Sequence, residues 1–155
     1  MNLRSVLSTL LFALLLPAGA ASAQQIPQPP LPTIQLQSGM YLIKAEVAGN
    51  SATRMVGMMM REKMGANEGM LFLFPDKREQ CMWMKNTLVP LSVAFIDENG
   101  VILNIEDMKP QTEDSHCSAK PAPYALEMNL NWFKQKGIKA GTKILGIEKA
   151  GKAQP

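Results

Sequence analysis

The chain predicts a mainly β fold: a single, compact antiparallel β-barrel or sandwich with one or two short helices. Three observations predict it. Apolar and polar residues alternate through Tyr41–Val47, Asn99-Gly100 separates two apolar runs, and strand-like segments recur at short intervals without regular crossover helices.

In Tyr41–Val47, Tyr41, Ile43, Ala45 and Val47 alternate with Leu42, Lys44 and Glu46, the pattern of a half-buried strand, and Gly49-Asn50 ends it. Asn50 or Ser51 can cap a short helix through Thr53, Arg54 and Met58, because a side-chain oxygen there accepts from the free amides of the first turn. Gly69 opens the apolar run Met70–Phe74, a buried strand stopped by Pro75-Asp76, and Gln80–Lys85 follows as another strand. Leu91–Asp97 and Val101–Ile105 flank Glu98-Asn99-Gly100 and predict a hairpin. Met108–Ala122 is polar, proline-bounded and unpatterned, which predicts a long loop carrying His116 and Cys117. A strand at Tyr124–Met128, a helical turn at Leu130–Lys136 stopped by Gly137, and a last strand at Lys143–Glu148 complete the domain.

The ends read differently. Met1–Ala23 has the parts of a secretory signal: a polar start with Arg4, an apolar run Val6–Leu16, and the small residues Ala21-Ser22-Ala23. The apolar run is shorter than the ~20 residues of a spanning helix, so cleavage after Ala23 and a periplasmic or extracellular protein without a membrane span are expected; the alternative is a retained anchor. Residues 24–37 form a flexible leader, with four prolines among the first ten. Residues 38–149 form the β-rich domain, and residues 150–155 a tail that should fray.

The formal charge is +3, and only Arg4 is lost with the signal. Basic residues are scattered, not gathered on one face, which argues against nucleic acid as a partner. Two cysteines, Cys81 and Cys117, survive maturation, and an even count in an oxidising compartment favours a disulfide. Two reduced thiols, or ligation of a soft metal, are the alternatives.

Further local patterns resemble a known family. They are Arg54 with Gly57, Met59 and Arg61; Glu68-Gly69-Met70-Leu71-Phe72; Trp83-Met84-Lys85-Asn86-Thr87 with Pro90-Leu91; the Asn99-Gly100 turn; and Tyr124-Ala125-Leu126-Glu127 followed by Gly137-Ile138-Lys139-Ala140-Gly141. The chain is similar over about Tyr41–Gly146 to domain of unknown function 192 (DUF192). That resemblance implies a mostly β barrel or sandwich, often behind a signal peptide, with no established activity, and so it supplies no catalytic residues. Met58, Met60 and Met82 depart from the leucine and phenylalanine expected there.

Two constellations carry candidate function. Lys85, Asn86 and Thr87 interrupt an otherwise apolar stretch. They either pair with loop backbone or, with Trp83 as an apolar platform and Arg61 as a donor, form a ligand-facing rim for a small molecule, glycan or envelope protein. Arg54 and Arg61 could equally be neutralised by Glu62 or Glu68. Eight methionines, Met55, Met58, Met59, Met60, Met64, Met70, Met82 and Met84, lie within residues 55–84. Thioethers suit Cu(I), so Met58, Met60, Met82 and Met84 are an alternative metal set, against core filling.

Catalytic signatures are weak. The chain has one histidine and no phosphate loop, metalloprotease helix or nucleophile elbow. Cys117 with His116, or a carboxylate pair drawn from Glu68, Asp97, Glu106 and Glu127, are the enzymatic alternatives. The preferred reading is a monomeric, non-enzymatic exported binding module without a cofactor; Cu(I) binding and an enzyme acting on envelope material are the alternatives.

Overall fold

Six strands assemble into one mixed sheet in a computed structural model that describes residues 26–155. The predicted signal peptide lies outside the described residues. In chain order the elements are β1 (Thr33–Ser38), β2 (Tyr41–Ala48), α1 (Ser51–Val56), β3 (Glu68–Leu73), β4 (Cys81–Met82), β5 (Leu91–Ile96), β6 (Ile102–Met108), β7 (His116–Cys117), β8 (Tyr124–Asn129) and α2 (Trp132–Gln135). A 3-10 turn at Ile147–Ala150 follows.

The sheet order is β1-β2-β3-β8-β5-β6, and β4 pairs only with β7. All neighbours in the large sheet are antiparallel except β2 and β3, which run parallel. This departs from the expected all-antiparallel pairing. Residues 49–67 carry α1 and a long turn, enough chain for the crossover that a parallel pair requires. β1 and β6 do not pair with each other. The segment after α2 instead bridges both margins, Leu145 to Gln37 and Lys143 to Val101.

Side chains alternate between two cores, one on each face of the sheet. Leu36, Ile43, Leu71, Ala94, Ile96 and Leu126 pack against Trp132, Phe133 and Ile138 on one face. Met70, Phe72, Leu91, Val93, Phe95 and Ala125 pack against Met58, Met84 and Val89 on the other. Among the described residues no helix is long and apolar enough to cross a membrane.

Five local expectations are corrected. The leader does not run to residue 37: Thr33–Ser38 is a strand laddered onto β2, because Leu36 and Ser38 turn inward as soon as the prolines end. The tail is tied down, with Gln154 N donating to the Gly49 carbonyl at 2.7 Å and Arg54 Nη1 donating to the Gln154 carbonyl at 2.9 Å. Gln80–Lys85 contributes only Cys81–Met82 as strand, since the chain turns at Met84. The last strand reduces to single bridges, because left-handed Gly146 (φ 92°) leads into the 3-10 turn. The long loop from Met108 also gains β7.

Candidate functional site

Two turns face each other on the second core face. The first follows α1, whose start is capped by Asn50: its side chain accepts from Thr53 N at 2.9 Å, and the Thr53 hydroxyl accepts from Asn50 N. Gly57 ends the helix at φ 51°, and a Cβ there would lie 3.2 Å from the Phe72 ring, so the position requires glycine. The chain then drops Met58 into the core and swings out through Met59 to Met60.

Trp83–Thr87 forms the second turn. Its start is stapled by the Cys81–Cys117 disulfide across β4 and β7. Met84 is fully buried, its amide donates to Thr112 O at 3.0 Å, and its carbonyl accepts from Thr87 N at 3.0 Å. The turns are joined by one bond, Met60 N to Asn86 O.

The polar trio is largely used by the fold. Lys85 pairs with exposed Glu113 at 3.4 Å and lies 5.2 Å from the Trp83 ring centre. Asn86 supplies a left-handed turn residue and a carbonyl, and buried Thr87 directs its hydroxyl to Lys85 O at 3.4 Å. Trp83, expected to serve as an apolar platform, is 46% exposed and stands on the rim.

Arg61 points elsewhere. Its guanidinium makes a two-pronged bond to Glu46, at 2.5 and 2.8 Å, beside a hollow lined by Lys44, Lys63 and Glu68. Burial pushes the Glu46 carboxyl up, but the Arg61 bond, the Leu31 amide and the charges of Arg61 and Lys44 outweigh it and hold the group below the usual carboxylate value. The same bond raises Arg61 against its own burial. Arg61 is therefore answered by Glu46, not by Glu62 or Glu68. Of the five predicted rim residues, Trp83 and Thr87 line one cavity together.

That cavity, about 30 Å³, lies between the turns and is lined by Met55, Met58, Met59 and Met82 as well as Arg54 and Phe72. Glu127 of β8 also lines it. Its side chain is 3% exposed, its Oε2 has no hydrogen-bond partner, and burial pushes its pKa up to about 8. Strand register places it between Met70 of β3 and Val93 of β5. One strand further out on the two sides stand Glu46 and Glu106, so three carboxylates share one row across the sheet. The outer two have partners: Arg61 holds Glu46, and Asn104 Nδ2 donates to Glu106 at 3.2 Å.

Gly69 lets β3 approach β8 here, since a Cβ would fall 2.5 Å from the Glu127 carbonyl oxygen and 2.4 Å from the Met128 sulfur. Of the predicted metal set, Met58 and Met82 line the cavity, whereas Met84 is buried in the core below and Met60 turns away; Met55 and Met59 take their places. Cys117 is bound in the disulfide and leaves no thiol for His116 to activate. Sequence reasoning placed Glu127 only among possible paired carboxylates. The signal for its burial was its inward phase with Ala125 in the alternation of β8.

A family model described as Uncharacterized ACR, DUF192, matches residues 34–146. A solved structure from Sinorhizobium meliloti 1021, provisionally described as a transcription regulator, is 34% identical with a TM-score of 0.68, covering 73% of this chain and 91% of its own. A protein of unknown function from Novosphingobium aromaticivorans DSM 12444 is 28% identical with a TM-score of 0.72, covering 81% of this chain and 94% of its own. No curated protein matches the chain.

Proposed function

Because the chain belongs to the DUF192 family, whose model and solved relatives name no reaction, we propose that it is a non-enzymatic binding module whose ligand enters between the Gly57–Met60 and Trp83–Thr87 turns. The module is exported, cleaved after Ala23, and works in the periplasm or outside the cell; the signal-like Met1–Ala23 supports this. We also read the sheet as an incomplete barrel, supported by the bridges from Lys143 and Leu145 to its two margins.

The observation that carries the binding reading is the buried, unpartnered Glu127 carboxyl beneath a half-exposed Trp83. An unmet buried polar atom costs about 1–3 kcal/mol, and an exposed tryptophan forgoes burial of a large apolar surface. Folding stability accounts for neither. A ligand that covers the ring and meets the carboxyl accounts for both. A cavity of this size takes about one small group, so the occupant is a single ion or the tip of a larger molecule such as a glycan. Nucleic acid is not part of this reading, given the small net charge and scattered basic residues.

The test is to follow the indole N–H resonance of Trp83 in ¹⁵N-labelled protein during titration with single metal ions and with neutral and acidic disaccharides. A saturable shift is expected, weakened at least tenfold by Glu127→Gln with the fold retained. Silence of that resonance across the panel would overturn the reading.

A further inference from the structure

Resting on that reading of the cleft, the structure assigns its occupant to a soft monovalent cation, Cu(I) or its redox-inert analogue Ag(I), held by the thioethers of Met58, Met59 and Met82 with the Glu127 carboxylate as counter-charge. The ligand set differs from one drawn from Met58, Met60, Met82 and Met84, and its decisive member is a carboxylate.

The chemistry of the lining selects the ion. Thioether sulfur is a soft donor that favours Cu(I), whereas the oxygen donors that sodium, magnesium or calcium require are represented among the lining side chains only by Thr87 and Glu127. Among the described residues no group of three or more histidine, cysteine, aspartate or glutamate side chains offers a harder site. The volume suits one ion and is too small for a sugar ring.

Charge fixes the valence. The unpartnered Oε2 of buried Glu127 is the one anionic donor among the lining side chains, so it answers a single positive charge, and a divalent ion would leave a second charge uncompensated in the interior.

The groups facing Glu127 leave its Oε2 unclaimed. From α1 comes Arg54, whose Nη1 is held by the carbonyls of Gly49, Leu73 and Gln154. β3 and β5 present Met70, Phe72 and Val93. Glu46 and Glu106 are two strands away on either side, about 10 Å, and each has its own partner. The second turn presents Thr87 and Trp83, whose ring already accepts the Lys85 ammonium, a contact that shows the indole in reach of a cation.

The experiment uses the full exported chain with its disulfide intact; the described residues contain no free cysteine to compete for the ion. Ag(I) is titrated while the methionine methyl resonances are followed, and Cu(I) affinity is measured anaerobically against a chromogenic chelator at pH 7. The expected result is saturable shifts of the Met58 and Met82 methyls at one equivalent. Glu127→Gln should weaken binding at least tenfold, Met82→Leu should weaken it at least tenfold, and Met60→Leu should change nothing.

Binding unaffected by Glu127→Gln or by Met82→Leu overturns the inference. If a disaccharide moves the Trp83 indole while Ag(I) leaves the methyls still, the cleft is a binding site and the ion assignment is wrong. If nothing moves either probe, both readings fall.

Discussion

The amide of Met60 donates to the carbonyl of Asn86 at 2.9 Å, and both residues hold left-handed backbone, with φ of 61° and 56°. One bond thus joins two strained turns. Asparagine tolerates this conformation better than most residues, and methionine tolerates it poorly. Asn86→Gly is expected to change stability by less than about 0.5 kcal/mol, Asn86→Ala to cost about 1 kcal/mol, and Met60→Gly to be neutral or stabilising. Urea unfolding of the three variants checks the order. Equal losses for Asn86→Gly and Asn86→Ala would show that the side chain, not the backbone, matters.

The Arg61–Glu46 pair should set acid stability. Glu46 titrates below its unfolded value of 4.5, so its contribution is present above that pH and is lost as pH falls through the depressed folded value. Arg61→Ala leaves the partly buried Glu46 with only the Leu31 amide and the Lys44 charge, at an expected cost of about 2 kcal/mol at pH 7. The variant should also lose less stability than the parent between pH 5 and pH 3. Chemical denaturation across that range measures both, and parallel curves would rule out the pair as the acid-sensitive element.

Glu127 works with the opposite sign. Its folded value of about 8 lies above the unfolded 4.5, so its contribution is fully present below 4.5 and is lost as pH rises toward 8. Glu127→Met, close in volume and suited to a methionine-lined site, should therefore stabilise the protein at pH 8 by on the order of 3 kcal/mol, with the gain shrinking toward pH 4.5. Thermal melts at three pH values test it. A variant less stable than the parent at pH 8 would mean that the carboxyl has a partner within the fold.

Cys81–Cys117 closes a loop of 36 residues, for which the chain-entropy model gives about 3–4 kcal/mol. It also secures a two-pair ladder too short to persist unaided. Intact mass should rise by two protons on reduction, and the reduced protein should unfold at lower urea with a shifted Trp83 indole resonance. An unchanged resonance would separate the staple from the rim.

Legibility in the sequence followed the range of each interaction. β2, the β5–β6 hairpin and the Asn50 cap were readable because alternation, Asn-Gly and capping chemistry act within a few residues. The parallel β2–β3 pair was not, since it depends on a crossover whose packing is tertiary. β1 was hidden because proline dominated its neighbourhood while Leu36 and Ser38 alone marked the inward face. At the site, the disulfide followed from cysteine arithmetic, whereas the separation of Arg61 from Trp83 follows from Glu46, a residue on another strand. Glu127 looked like any charged strand residue until its neighbours on β3 and β5 enclosed it.

The sheet order places β8 between β3 and β5, although it is the last of the six strands along the chain. As the polypeptide emerges, β1-β2-β3 and β5-β6 can pair early, each keeping an open margin until residues 124–129 arrive to join them. The central strand thus depends on pairings distant in sequence, which make folding slow relative to a helical domain of equal size. A chain interrupted before Tyr124 would hold two half-sheets with exposed sticky margins, and the strand that seals them is the one that carries Glu127 into the interior.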